Sequence, residues 1–333
     1  MDTTSWAYWA PVIFMALMGL AMYLYVVLDG FDLGVGMLLP LASDPDKDTM
    51  VSSIGPFWDA NETWLVMGVG VLLMAFPKAH GVILTSIYLP TAWMLIGLIL
   101  RGVAFDFRVK ARDQHKPLWN QAFFVGSLVT ALAQGWMLGR YVTGFARGPS
   151  YTAFAACIAL ALASTYVLLG STWLIMKTEG ALQERAVRWA RRAWVPMACG
   201  MALISVATPW VSESVRLRWF AWPQWLLLAP IPLCALVALL GVRWVLNRHR
   251  VKHTWKWVPF ALTTVVLLTG TLGLAYSLFP FVVMDRMSLW QAAAALDSLN
   301  IILAGCAVTV PAILAYTAFS YWVFRGPART PVL

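Results

Sequence analysis

The sequence is poor in charged residues, cysteine and histidine, and each shortage excludes a class of protein. Only 12% of its 333 residues are charged and 61% are hydrophobic, whereas soluble domains carry about 25% charged and about half apolar residues. The four cysteines stand singly in apolar runs and form no CxxC pair, which excludes the usual zinc and disulfide patterns. No P-loop, GxGxxG fingerprint or Ser/His/Asp set is present either. The composition therefore predicts an integral membrane protein.

Histidine is scarce as well. The four histidines fall in polar connections or at the ends of apolar segments: His80, His115, His249 and His253. A haem ligand normally projects from within a helix bundle. We therefore expect this chain to bind neither haem nor a metal ion by itself.

Long apolar runs fill most of the chain. A helix needs about 20 predominantly apolar residues to span a membrane, and nine such segments follow one another with short connections. The N-terminus has no positively charged region and no A-x-A site after its first apolar run, so we expect no cleaved signal peptide. The pattern predicts a single all-α polytopic membrane domain over residues 1–333, with helices at roughly 8–28, 53–76, 82–104, 119–141, 151–176, 193–211, 224–246, 257–281 and 299–323. Continuation of the first helix toward Leu39 stays open, because the glycine-rich stretch there argues only weakly against a membrane helix.

The net charge of +9 belongs to the connections between these segments and does not indicate a nucleic-acid surface. Of the 24 Lys and Arg residues, 18 fall on one side of the predicted membrane and six on the other. Cytoplasmic loops carry the excess of Lys and Arg. The sequence thus predicts an N-terminus outside and a C-terminus in the cytoplasm. The basic runs at 185–192 and 243–256 act as topology signals, with lipid head-group binding as the alternative.

Acidic residues are few, yet four of them form two closely spaced pairs. One pair lies at the end of the first apolar segment and the other at the start of the second. Asp29 and Asp32 end the first segment, and Asp59 and Glu62 begin the second within Phe-Trp-Asp-Ala-Asn-Glu-Thr-Trp. A spacing of three residues places each pair on one helix face. Ionisable groups in a membrane are costly and usually face a bundle interior or a water-filled path. Because both pairs lie toward the predicted cytoplasmic side, they indicate proton or cation handling.

Three further residues extend this pattern. Arg101 and Asp106 lie at the cytoplasmic end of the third segment, and Trp58 begins the second. Arg101 can pair with Asp59 or Glu62, or donate to a quinone carbonyl. Other interpretations stay open, namely hydrated acids at helix ends, an interfacial aromatic girdle, and an arginine that extends to the membrane surface.

The stretches that contain these residues resemble subunit II of the bacterial cytochrome bd quinol oxidases. They are Asp-Gly-Phe-Asp-Leu-Gly-Val-Gly at 29–36, Ile-Gly-Pro-Phe-Trp-Asp-Ala-Asn-Glu-Thr-Trp at 54–64, and Arg-Gly-Val-Ala-Phe-Asp-Phe-Arg at 101–108. The Glu-Thr-Trp form, together with Ser-Leu-Phe-Pro-Phe-Val-Val-Met-Asp at 277–285, is similar to the cyanide-insensitive branch. Chain length and the number of apolar segments agree with the family over the whole chain.

The resemblance implies nine helices in the bacterial inner membrane, arranged as two four-helix bundles plus one peripheral helix. It implies a haem-bearing subunit I as partner, with haem b and haem d held there, and small single-helix subunits as further partners. The complex would oxidise quinol and reduce oxygen to water. This chain would carry no haem, stabilise subunit I and contribute to a proton path from the cytoplasm.

The resemblance also implies roles for individual residues. It assigns the proton path to the carboxylates of Asp29, Asp32 and Asp59. Glu62 is added because it lies beside Asp59 on the same helix face. A bound quinone is implied near four residues: Trp58, Asp59, Arg101 and Asp106. Quinol and membrane lipids are expected contacts, and nucleic acid is not.

Two functions from other classes remain open on the residues alone. A proton-coupled transporter could use the same acids, although no inverted repeat with matched broken helices is visible. A purely structural membrane partner is the other alternative, with the acids serving only to solvate helix ends.

The orientation can be measured with reporter fusions. A fusion after Gly148 is expected to report the outside, because the connection that contains Gly148 has few basic residues. A fusion after Arg185 is expected to report the cytoplasm, because the connection that contains Arg185 has many. Alkaline phosphatase and fluorescent-protein fusions in whole cells give the two readings. The reverse pattern would reject the orientation drawn from the charge asymmetry.

Overall fold

The computed structural model describes residues 3–328, which are almost entirely helical. Two short antiparallel strands are the exception: β1 (Phe281–Val283) and β2 (Met287–Ser288). The helices, in chain order, are α1 (Trp6–Leu38), α2 (Asp44–Ile54), α3 (Trp58–Ala75), α4 (Pro77–Lys110), α5 (Lys116–Val142), α6 (Pro149–Lys177), α7 (Gly180–Val211), α8 (Glu213–Trp219), α9 (Gln224–Leu228), α10 (Pro230–Leu246), α11 (Val258–Leu278), α12 (Leu289–Ala292) and α13 (Leu296–Val323).

Within residues 3–328, seven helices are long and apolar enough to cross a membrane: α1, α4, α5, α6, α7, α11 and α13. The chain is therefore an all-α polytopic membrane protein. Helix α10 is apolar but has only 17 residues, and α3 has 18 residues that begin with a polar turn. The count of nine spans stays a prediction that depends on these two helices.

Two helices extend well beyond the segments predicted from hydropathy. Helix α1 continues through its glycine-rich stretch to Leu38 instead of ending near residue 28, since membrane helices tolerate glycine. Helix α7 begins at Gly180 instead of near residue 193, so the basic run at 185–192 lies on its first turns and not in a connection. Hydropathy detects the apolar part of a helix and misses a polar extension of the same helix.

The helices of the first half pack at close range because glycines face each other across the contacts. A Cβ atom on Gly34 of α1 would lie 1.8 Å from the Tyr166 carbonyl oxygen of α6. A Cβ atom on Gly97 of α4 would lie 2.8 Å from the Gly126 carbonyl oxygen of α5. Small residues at such contacts let helix backbones approach in membranes, where no hydrophobic force drives helices together.

Hydrogen bonds between distant parts of the chain place the two termini at opposite ends of the molecule. The Trp6 indole donates to Asn300 Oδ1 at 2.7 Å, which joins the start of α1 to the start of α13. At the other end, Lys177 donates to the Phe324 carbonyl oxygen, which joins the end of α6 to the end of α13. An odd number of membrane crossings requires this arrangement.

A small hairpin follows α11, which ends at Leu278 just before Pro280. Strands β1 and β2 pair there, and the Tyr141 hydroxyl donates to the Val282 carbonyl oxygen at 2.6 Å. The hydropathy pattern gives no sign of this hairpin, because five strand residues fall between two long apolar runs.

Replacing Gly34 with alanine is expected to destabilise the protein by about 1–3 kcal/mol, the usual cost of overpacking. The new methyl group would overlap the backbone of α6, so one helix must move. Thermal denaturation of the purified protein in detergent measures the effect. Gly19→Ala on the same helix is the control, because no heavy atom lies within 4 Å of its added Cβ. Equal stability of the two variants would show that this contact does not limit the fold.

Candidate functional site

A buried arginine shared by two carboxylates lies where α1, α3 and α4 meet. Arg101 Nη2 is 2.6 Å from Asp29 Oδ1, and the same nitrogen donates to Glu62 Oε1. The side chains of Asp29 and Arg101 are 0% and 1% exposed, whereas that of Glu62 is 28% exposed. A guanidinium stays charged at any working pH, and a buried charge needs a partner. These contacts therefore fix the three helices relative to one another.

A second set of polar contacts begins at Asp32, one turn after Asp29 on α1. The Asn61 amide donates to Asp32 Oδ2 at 2.8 Å and to the Leu28 carbonyl oxygen at 3.2 Å. The Tyr321 hydroxyl of α13 donates to Asn61 Oδ1 at 3.0 Å. Asp32 is fully buried and Asn61 nearly so. The last turn of α13 thus reaches the acidic pair of α1 through a single amide.

A third set of polar side chains lies deeper in the molecule than Asp29. Tyr25 lies one turn earlier on α1, on the same helix face as Asp29. Gln134 Nε2 donates to the Tyr25 hydroxyl at 2.6 Å, and the Tyr166 hydroxyl donates to Gln134 Oε1 at 2.6 Å. Asp32 and Tyr25 are seven residue steps apart on α1, so the polar line extends for about 10 Å along the helix.

Several polar atoms of this cluster keep hydrogen-bonding capacity. Within the described residues, Asp29 Oδ2, Asp32 Oδ1 and two nitrogens of Arg101 make no hydrogen bond. Buried polar groups normally have partners, which often include water. The cluster can therefore bind protons or water at the carboxylates as well as hold its ion pair.

Helix α2 lies over the end of the cluster, and hydropathy does not predict this helix. Arg108 of α4 is 2.7 Å from Asp48 Oδ1, and its Nε donates to Asn120 Oδ1 at 2.5 Å. Arg185 of α7 contacts Asp46. These bonds attach α2 to α4 and α7, and they join α4 to α5.

A buried lysine holds the end of α13 against the same region. Lys177 Nζ donates to the Phe324 carbonyl oxygen and, at 3.1 Å, to that of Gly326. It also lies 5.5 Å and 5.1 Å from the ring centroids of Phe57 and Trp173. The lysine thereby satisfies carbonyl groups at a helix end and positions the helix that carries Tyr321.

The structure brings together four of the residues that the sequence singled out: Asp29, Asp32, Glu62 and Arg101. The alternative of hydrated acids at a helix end does not hold for Asp29 and Asp32, because α1 continues to Leu38 and both residues are fully buried. Asp59 lies one turn before Glu62 and is exposed.

The four residues expected near a quinone do not share one set of contacts. Asp59 and Asp106 are exposed, whereas Arg101 is buried in its ion pairs. Trp58 packs on Phe105, with ring centroids 5.0 Å apart. A quinone bound near these residues stays a prediction.

The histidines do not fit a haem site. His115, His249 and His253 are exposed, and His80 lies in the first turn of α4. No group of three or more His, Cys, Asp or Glu side chains in the described part of the chain could hold a metal ion.

Sequence reasoning missed the polar residues that extend the cluster, and assigned no role to Asn61. Tyr25, Gln134, Tyr166 and Tyr321 are single polar side chains inside apolar runs. Their only signal is that polar groups within a membrane segment tend to face other protein groups. Which helices face each other cannot be read from that signal.

Residues 10–324 match the family model described as cytochrome bd terminal oxidase subunit II. The chain belongs to this family. It is similar to the cytochrome bd-I ubiquinol oxidase subunit 2 of Escherichia coli strain K12, with 28% identity over 93% of each chain. It is also similar to the cytochrome bd ubiquinol oxidase subunit 2 of Bacillus subtilis strain 168, with 27% identity over 90% of this chain and 91% of that one.

A solved structure, titled as that of the bd oxidase from Geobacillus thermodenitrificans, shares the fold. The TM-score is 0.77 at 15% identity, over 94% of this chain and 98% of that chain. The chain is thus a subunit of a quinol oxidase, an oxidoreductase, and a multi-pass protein of the bacterial inner membrane.

Replacing Lys177 with methionine is expected to loosen the end of α13. Methionine keeps apolar contact with Phe57 and Trp173 but donates no hydrogen bond, so two carbonyl groups lose their donor. Hydrogen exchange of the amides in 320–328 should become at least about fivefold faster, since each net hydrogen bond that is lost contributes about 1 kcal/mol. Lys110→Met, at the exposed end of α4, is the control. Unchanged exchange at 320–328 would show that packing alone holds this segment.

Proposed function

We propose that this chain is the haem-free second subunit of the oxidase, which stabilises the haem-bearing subunit I and carries part of a proton path from the cytoplasm. The observation that supports this proposal is the buried cluster of Asp29, Glu62 and Arg101. Ionisable side chains inside a membrane protein usually mark an ion or proton pathway.

The carboxylates become less exposed along the proposed path. Asp59 lies at the surface, Glu62 is 28% exposed, and Asp29 is fully buried behind Arg101. A carboxyl group can serve as a proton relay because its environment can bring its pKa toward the working pH. Protons would enter at Asp59 and Glu62 and reach Asp29 inside.

The balance of charges in the cluster favours proton binding. The cluster contains three carboxyl groups but one guanidinium: Arg101 pairs with Asp29 and Glu62, and Asp32 lies one turn further along α1. If all three were ionised, the cluster would hold two unbalanced negative charges in a medium of low dielectric constant, which is costly. A proton held among the carboxyl groups relieves that cost, so the cluster can store and release protons.

The deeper set of polar side chains would extend the path toward the centre of the membrane. The Tyr25 hydroxyl can exchange its proton, while Gln134 accepts from one tyrosine and donates to the other. Because Gln134 donates to the Tyr25 hydroxyl oxygen, the proton of that hydroxyl is free to turn toward Asp29, one turn later on α1. We assign Gln134 an orienting role.

The remaining parts of the proposal concern the membrane and the partner. Helices α3 and α10 would complete nine spans, with a periplasmic N-terminus and a cytoplasmic C-terminus. The nine spans would form two four-helix groups, α1, α3, α4 and α5, and α6, α7, α10 and α11, with α13 at the periphery. Only 6% of the most apolar stretch of α13 is buried, so most of this helix is left to contact lipid or subunit I. The haems would belong to that subunit.

The relay can be tested at Asp59, because an exposed side chain can be changed without disturbing the buried ion pairs. In Asp59→Asn the amide cannot exchange a proton, so quinol-driven oxygen uptake by the assembled complex is expected to fall about tenfold or more, a factor that corresponds to roughly 1.4 kcal/mol on the limiting barrier. Asp59→Glu should be milder. Haem spectra should stay unchanged in both variants.

The control and a second variant make this test decisive. Asp113→Asn removes an exposed carboxylate from the α4–α5 connection and should leave oxygen uptake unchanged. Glu62→Gln removes the next carboxylate of the proposed path. If assembled Asp59→Asn and Glu62→Gln complexes both turn over at the parental rate across about pH 6–9, the entry of the proton path lies elsewhere.

A further inference from the structure

A cavity opens where α4 breaks, at the end of the molecule opposite the carboxylate cluster. Ile87 has non-helical dihedral angles (φ −125°, ψ 21°). Pro90 follows and lacks the N–H that would bond the Ser86 carbonyl group. The cavity has a volume of about 370 Å³ and lies between this break, the end of α5 and the start of α6.

Two guanidinium groups line the cavity without a carboxylate partner. Arg140 donates to the Phe145 carbonyl oxygen at 3.3 Å, and Arg147 is exposed just before α6. None of the ion pairs within residues 3–328 involves either arginine. No acidic residue lines the cavity, so its lining carries two net positive charges.

The preference of basic residues for the cytoplasmic side does not explain this pair. Of the 23 Lys and Arg residues within residues 3–328, only six lie at this end of the molecule, and two of the six meet at one cavity. The carboxylate-rich cluster lies at the other end, where most of the basic residues are. The local excess of positive charge points to an anionic ligand.

We propose that this cavity binds the phosphate group of an anionic phospholipid. Guanidinium groups bind phosphate oxygens through paired N–H bonds. Leu89 and Trp136 supply an apolar wall for the glycerol part of the lipid, and Tyr88 is of the type found at membrane interfaces. The volume suits a head group, since small-molecule sites measure about 300–1,000 Å³. The acyl chains would lie along the exposed side of α4, where Leu89 is 56% exposed.

The source of the phosphate follows from where the cavity lies. Its polar end is formed by Arg147 and the start of α6, and its apolar wall faces outward beside exposed residues of α4. A lipid at the membrane surface presents its head group and chains in that order. A free phosphate ion would use the arginines and leave the apolar wall without a function.

The test is native mass spectrometry of the intact oxidase, titrated with phosphatidylglycerol in mild detergent. The parent should bind one phosphatidylglycerol about tenfold more tightly than R140Q/R147Q, because two charge-assisted contacts are lost. Arg286→Gln removes a charge at the same end without altering the cavity lining and should bind like the parent. Oxygen uptake of R140Q/R147Q should match the parent, which separates this proposal from the proton path.

Three outcomes would overturn the proposal. Equal binding of phosphatidylglycerol by the parent and R140Q/R147Q would show that the arginines do not hold the lipid. Equally tight binding of zwitterionic phosphatidylcholine would exclude recognition of an anionic phospholipid. Displacement of the bound lipid by millimolar inorganic phosphate would identify a site for the free ion instead.

Discussion

The buried guanidinium of Arg101 is the constraint on which the first half of the structure depends. A charge removed from water costs several kcal/mol unless partners surround it, and here the partners come from α1 and α3. Three helices must therefore meet at one level. The same requirement that stabilises the fold places carboxyl groups where a proton can be exchanged.

Close contact between helix backbones makes that meeting possible. Gly34 and Gly170 let α1 approach α6 until any added side chain would overlap the backbone. This approach brings Tyr166 and Gln134 within hydrogen-bonding distance of each other beside Tyr25. The helix packing and the polar network therefore depend on each other. If the helices lay farther apart, the buried tyrosines would lose their hydrogen bonds and the glycines would leave gaps.

The two ends of the molecule differ in chemistry. At one end, carboxyl groups outnumber the single buried arginine, and Lys177 attaches the end of α13 beside them. At the other end, Arg140 and Arg147 line a cavity without an acidic partner. An excess of buried carboxyl groups suits proton binding, whereas an excess of guanidinium groups suits an anionic ligand supplied by the membrane. Both arrangements fit a subunit that contacts a partner protein and the membrane lipid.

The sequence by itself determined the membrane class, most of the apolar helices and the family, because hydropathy and short polar motifs are local properties. It also indicated that the acids of α1 and α3 and the arginine of α4 lie at one level. Only the tertiary structure decided which of them meet. Asp29 is buried and Asp59 exposed, although both belong to acidic pairs with the same spacing. Spacing fixes which residues share a helix face, but the rotation of each helix and the identity of its neighbour follow from packing across the whole bundle. For the same reason Tyr25 and Gln134 join the cluster without a signal in the sequence.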